Sequence, residues 1–178
     1  GVADVFFVDA AHPVQGFHSG HVWSEKPVCV RTSSGRQRVN ILGAMHAATH
    51  ELYSISTTDY IKATTVVELI SFLREELPGR RIHLVLDNAR YQRCKLVAKA
   101  ARKYRVHLVF LPPYSPNLNL IERFWKYLKK KVLAGFHYPT KEAFVEAIDN
   151  FIDEVNEGLH ENEIDELMNL KFQLLEAA

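Results

Sequence analysis

Residues Leu108 to Val132 read LVFLPPYSPNLNLIERFWKYLKKKV, and three different textures follow one another in this stretch. His107 to Leu111 is a short apolar run of strand type. Pro112, Pro113 and Pro116 fix φ and remove backbone donors, so the next residues form a rigid loop and not a helix. From about Asn119 to Leu133 the apolar residues Ile121, Phe124, Trp125, Leu128 and Val132 recur at helical spacing, and Gly135 ends the run. The result is a buried strand, a proline loop and an amphipathic helix with one carboxylate, Glu122, in its first turn.

Several readings fit Glu122. Asn119 and Glu122 have the N-cap and N3 spacing of a capping box. Glu122 and Lys126 are spaced for an i,i+4 ion pair, which is worth about 0.3–0.5 kcal/mol. A helix N-terminus also favours an ionised carboxylate, which is the state a metal requires. The cap and the metal reading are compatible.

Working outward, two more acids stand at strand ends. Val5 to Val8 reads as a buried strand followed directly by Asp9, and Ile82 to Leu86 as another followed by Asp87. Ligands gather at such sheet edges in α/β folds, although an acid there can also simply cap a turn. Val39–Ala47 and Leu52–Thr57 are two β-type runs that suggest, with Val5–Val8, a three-strand antiparallel meander. Thr64 or Thr65 caps a helix from Val66 to Leu77, which Pro78 and Gly79 stop. A second helix, Arg90 to Tyr104, is rich in Lys and Arg. The strand–helix–strand that ends at Leu111 implies a parallel, right-handed crossover. Lys141 to Asn156 is amphipathic, with Phe144, Ile148, Phe151, Ile152 and Val155 inward. The tail from Ile164 to Leu175 reads as helix, packed loosely or on a partner. The order is β-β-β-α-β-α-β-α before the last helices, an α/β fold with a mixed five-stranded sheet flanked by helices.

Gln15 to Arg38 is a polar excursion with a short Val22-Trp23 piece. Arg31, Arg36 and Arg38 are either phosphate contacts or an ordinary hairpin face. His12, His18 and His21 have no fourth ligand at zinc spacing and read as solvated loop residues. His46 and His50 are spaced as a helical metal pair, but their strand-turn context makes that a coincidence.

The 178 residues suit one domain, 47% hydrophobic and 24% charged. No apolar run approaches the ~20 residues that span a bilayer, so no membrane role is expected. There is no secretory signal pattern. Cys29 and Cys94 match no metal spacing and read as reduced thiols of a cytoplasmic protein. The net charge of +1 conceals a polarity. Residues 1–141 hold 21 Lys+Arg against 10 Asp+Glu, whereas residues 142–178 hold one against 11. A basic body suits a polyanion such as DNA. The acidic segment reads as a solvated helix, a cover for the basic surface, or a contact for a second copy.

Three carboxylates, Asp9, Asp87 and Glu122, can together cradle two Mg²⁺ or Mn²⁺ ions, hard cations that prefer oxygen ligands and keep positions open for water and phosphate. No Ser, Cys or His nucleophile stands out. The 34 residues between Asp87 and Glu122 contain seven Lys+Arg and no acid. Lys126 and Lys129 share a helical face with Glu122. Arg90, Arg93, Lys126, Lys129 and Lys130 are the expected phosphate contacts. DNA is therefore the expected partner, and no small-molecule substrate is expected.

The segment Leu111 to Trp125, LPPYSPNLNLIERFW, resembles the signature around the third acid of DDE transposases, in the bacterial insertion-sequence branch of the Tc/mariner superfamily. Leu86-Asp87-Asn88-Ala89-Arg90 is similar to that family's second-acid motif and Phe7-Val8-Asp9 to its first, and the 34-residue gap matches too. The resemblance covers roughly residues 4–150. It implies a ribonuclease-H-like fold, Mg²⁺ or Mn²⁺ as cofactor, and strand cleavage and transfer at transposon ends. Asp9, Asp87 and Glu122 inherit the catalytic and metal-binding roles. Leu120 replaces a common Pro, and Gln92 a frequent His.

On this basis residues 1–156 are the expected catalytic domain and residues 157–178 an acidic helical tail. The family's N-terminal helix-turn-helix DNA-binding region is expected to be absent. The resemblance also implies a homodimer, located in the bacterial cytoplasm and at the nucleoid when on DNA. Two rivals follow: a nuclease of the same fold acting on RNA–DNA hybrids or junctions, and a non-catalytic DNA-binding or assembly module.

Overall fold

The short β-type runs pair into one five-stranded sheet in the computed structural model, which describes residues 3–16, 37–112 and 118–168. The strands are β1 (Asp4–Ala11), β2 (Asn40–His46), β3 (Leu52–Thr57), β4 (Ile82–Leu86) and β5 (Val106–Phe110). Their spatial order is β3-β2-β1-β4-β5. β1, β2 and β3 are antiparallel to one another, while β1, β4 and β5 run parallel. This is the mixed sheet that the sequence implied. The helices are α1 (Ala63–Glu76), α2 (Lys95–Tyr104), α3 (Ile121–Leu128), α4 (Lys141–Asn156) and α5 (Glu161–Leu167).

Period-two alternation divides the sheet between two cores. Phe6 and Val8 of β1, Leu42 and Ala44 of β2, and Leu84 and Leu86 of β4 face α1 and α2. Phe7 and Ala11 of β1, with Ile41 and Met45 of β2, face α3 and α4. Asp9 lies between Phe7 and Ala11, so its side chain belongs to the α3 face.

Several boundaries differ from the sequence reading. β1 does not stop before Asp9 but runs on to Ala11, because Ala10 and Ala11 pair with Leu42 and Ile41 of β2. α1 begins after Lys62, and Thr65 acts from inside the first turn, its hydroxyl accepting from the Lys62 backbone N–H at 3.2 Å. α2 begins at Lys95, not Arg90. Residues 90–94 are held in turns because the amides of Gln92 and Arg93 both donate to the Ala89 carbonyl. The helix after the proline loop is α-helical only to Leu128 and continues as a π-helical segment, Lys129–Leu133. α5 is not loose: Ile164 and Met168 are buried in the α3–α4 core. The Val22-Trp23 piece, His18, His21, Cys29, Arg31, Arg36, the centre of the proline loop and residues 169–178 lie outside the described residues. The ends of the Gln15–Arg38 excursion do pair, with Val14 bridging Arg38 in antiparallel sense.

Candidate active site

Asp9 and Asp87 are neighbours because β1 and β4 are parallel and in register. Their last paired residues are Val8 and Leu86, and the two acids follow directly. Adjacent strands lie about 5 Å apart, so the two carboxylates leave neighbouring backbones on the same face. One Asp87 oxygen accepts from the Ala89 amide at 3.1 Å, which orients the carboxylate at the strand end. Asn88 donates to the Leu111 carbonyl at 2.5 Å and the Leu111 amide to Leu86 at 2.9 Å, which clips the ends of β4 and β5 together. Glu122 arrives from the other side, in the first turn of α3.

Two buried contacts seat α3 against β1 and β2. The Asn119 side chain donates from Nδ2 to the Val8 carbonyl at 3.1 Å, immediately before Asp9. The expected Asn119–Glu122 capping box is not formed: α3 begins at Ile121, its cap residue Leu120 makes no side-chain cap, and Asn119 is turned to β1 with its Oδ1 acceptor unused among the described residues. Trp125 lies over Gly43, the residue opposite Asp9 in the β1–β2 register. A Cβ on Gly43 would stand 2.8 Å from Cζ2 and Cη2 of Trp125 and 3.1 Å from Cδ1 of Ile121. The bare backbone of Gly43 is what allows the helix to come this close. Trp125 was legible in the sequence as a core residue. Its place beside Asp9 was not, nor was the role of Gly43.

The three acids act on one another electrostatically. Burial raises the Asp9 pKa to about 6. The Ala10 N–H opposes that rise, while the negative charges of Asp87 and Glu122 add to it. The Trp125 indole Nε1 makes no hydrogen bond of full geometry, yet it lies close enough to Asp9 to favour the charged carboxylate. Glu122 is raised by burial, with Lys126 opposing and Asp87 adding. Tyr91 is pushed up to about 12, by burial first and then by Asp87 and Asp9, which places its phenol on the same cluster. Sequence reasoning passed over Tyr91. Three carboxylates that repel one another in a partly dehydrated site suit a divalent cation, and the donor set, all carboxylate oxygen, suits a hard one. Among the described residues no three acidic, His or Cys side chains already stand at metal-holding separation. The acids face one another without being drawn in to coordination distance.

The five cations expected to contact phosphate are dispersed. Lys126 is the one that acts on Glu122. Lys129 acts on His12, at the rim beyond Asp9. Lys130 is exposed in the π-helical segment, and Arg90 is exposed in the turn after β4. Arg93 holds its guanidinium 4.6 Å from the centre of the Phe110 ring. His46 is no metal ligand: its Nδ1 accepts from the Thr49 amide at 3.0 Å, and His50 pairs with Asp165 at 2.9 Å.

The model of one protein family, the DDE superfamily endonucleases, matches residues 4–145. The chain belongs to this family. The DDE superfamily endonuclease chain also shares its fold with solved structures. The Mos1 mariner paired end complex with Mn superposes with a TM-score of 0.66 at 13% identity, over 97% of this chain and 56% of the other. The Mos1 strand transfer complex gives 0.64 at 14%, over 97% and 56%. The catalytic domain of Mos1 mariner transposase gives 0.62 at 11%, over 92% and 76%. Those likenesses establish the ribonuclease-H-like fold. This DDE endonuclease chain spans about half the length of the Mos1 chains in the two complexes. Comparison of the sequence with curated proteins found no match.

Proposed function

We propose that this chain is the catalytic domain of a mariner-type transposase that cleaves DNA at transposon ends and joins them to a target. The observation that carries the reading is the convergence of Asp9, Asp87 and Glu122 on one partly buried site at the end of a ribonuclease-H-like sheet. Asp9, Asp87 and Glu122 would hold two Mg²⁺ or Mn²⁺ ions. Such ions make a nucleophile of water or a 3′-hydroxyl at neutral pH and stabilise the leaving oxygen. The similar Mos1 paired end complex was solved with Mn.

The chain's own residues set up the rest. Asp9 and Asp87 supply carboxylate oxygens from a rigid sheet. Glu122 closes the set from α3, where burial raises its pKa and Lys126 opposes that rise. Asn119 and Trp125 fix the distance between helix and strand. The exposed cations Arg90, Lys126, Lys129 and Lys130 would bind phosphates around the acids and orient the strand.

The test is cleavage of DNA bearing the source element's ends in Mn²⁺, with the full-length protein, comparing native and Glu122→Gln. The native protein nicks and the variant, melting at the same temperature, loses at least about a hundredfold in rate, the scale of losing a group that acts in the transition state. Equal nicking by both would show that Glu122 only starts the helix.

A further inference from the structure

A second cluster stands at the same end of the sheet as the acids, on the β3 side. Asn40, the first residue of β2, is almost fully buried. Its Oδ1 accepts from Arg38 Nε at 2.6 Å and from His12 Nδ1 at 2.7 Å, and its Nδ2 donates to the Asp59 carbonyl at 2.8 Å. One buried amide therefore orients a guanidinium and an imidazole and ties both to the segment after β3. With Nε engaged, the two terminal nitrogens of Arg38 remain as a fork suited to a phosphate. No carboxylate of the described residues pairs with Arg38 or Lys129; the ion pairs lie elsewhere. Burial first, and then the charges of Arg38 and Lys129, lower the His12 pKa, so this rim carries two cations beside a neutral imidazole.

An aromatic ring completes the cluster. Tyr60 is 75% exposed, the most exposed large apolar side chain among the described residues. The Arg38 guanidinium carbon lies 5.9 Å from the centre of the Tyr60 ring. Ala11 pairs with Ile41 and Asn40 with Thr57, so Asn40 and the segment that carries Tyr60 lie just past the strand ends, at the same end of the sheet as Asp9. Alternation puts Asn40 on the α1–α2 face and Asp9 on the α3 face, so the cluster reaches the acids around the strand ends. An exposed ring beside a pre-oriented guanidinium that makes no ion pair among the described residues is the combination that holds a single-stranded nucleotide, with stacking for the base and a charged fork for its phosphate.

We infer that Tyr60, Arg38, His12 and Lys129 form a subsite for an unpaired DNA nucleotide at the end of the sheet that carries the catalytic acids. The base stacks on Tyr60 and its phosphate sits on Arg38, with His12 and Lys129 beside it. The location of the strand rests on the DNA-cutting reading, but the subsite itself needs no metal. It would grip a strand left unpaired at a cut end and keep that end at the acids.

The test is fluorescence anisotropy of the chain with a labelled blunt duplex and with the same duplex carrying a short unpaired 3′ tail. It is run in EDTA, where no cutting occurs. The native chain prefers the tailed duplex. Tyr60→Ala lowers affinity for the tailed duplex about tenfold, the scale of one lost base–aromatic stack, and Tyr60→Phe restores it. Arg38→Gln lowers the salt dependence of tailed-duplex binding by about one phosphate. The inference is overturned if the native chain binds both duplexes equally, or if Tyr60→Ala, melting as native, binds the tail as native does. Tail preference without Mn²⁺-dependent nicking would keep the subsite and sink the transposase reading. Nicking without tail preference would do the reverse.

Discussion

Asp9 is the residue on which stability and function pull in opposite directions. Its carboxyl is raised from 3.8 to about 6, by burial first and then by the charges of Asp87 and Glu122. Between those two values the folded chain binds more protons than the unfolded chain, so stability falls as pH rises through that window. Glu122 is raised as well and acts in the same direction. The metal-free protein is therefore expected to be more stable at pH 5 than at pH 7.5: the full Asp9 shift is worth about 3 kcal/mol, roughly half of it between these two pH values, and the lowered His12 opposes in the same range. Asp9→Asn should recover part of that stability at pH 7.5 while cleavage is lost. Urea melts of both proteins in EDTA at the two pH values check this, and a native protein that weakens toward pH 5 would refute it. A bound cation reverses the sign at Asp9, because it stabilises the charged form that the empty cluster penalises.

At the scale of elements, the decisive feature is how α3 is seated on β1 and β2. Gly43→Ala brings a methyl to 2.8 Å from the Trp125 ring, so either the ring or the helix must move. The expected cost is about 1–3 kcal/mol of stability, together with weaker Mn²⁺ binding, since Glu122 rides on that helix. Adding Trp125→Leu makes room and should recover both in part. A Gly43→Ala protein with native melting and native Mn²⁺ affinity would contradict this account. This seating also marks where the sequence stopped being legible. The strand and the apolar stripe around Glu122 are local patterns, and they were read correctly, as were β3, β4 and α4. Asn119 looked like a local helix cap but spends its donor on Val8, 111 residues away. Only the folded sheet brings Gly43 beneath Trp125. Likewise α2 reads from Arg90 by its cations, yet the turn fixed by Asp87 and Ala89 delays it to Lys95. Boundaries set by tertiary contacts carry no local signal.

Over the whole molecule, the charge polarity of the sequence becomes a polarity in space. The β2–β3 turn lies at the end of the sheet opposite the acids, and there His50 meets Asp165 of α5. Glu163 of α5 is taken up by Lys131 and Tyr127, which hold its carboxyl down near 2. Part of the acidic segment is thus docked on the body through Ile164 and Met168, while Arg38, Lys126, Lys129 and Lys130 carry no ion pair among the described residues. DNA binding by the chain should accordingly fall steeply with salt, by about 0.9 in log–log slope for each phosphate contacted. Affinity that is flat between low and physiological salt would rule out the basic rim as the DNA face. The central claim is that Asp9, Asp87 and Glu122 form one metal site, and calorimetric titration of the full chain with Mn²⁺ tests it most directly. The native chain should bind Mn²⁺, and Asp9→Asn, Asp87→Asn and Glu122→Gln should each weaken binding by about tenfold or more, a loss of at least about 1.4 kcal/mol. Native Mn²⁺ affinity in any one of the three variants, with its fold intact, would remove that residue from the site and contradict the claim.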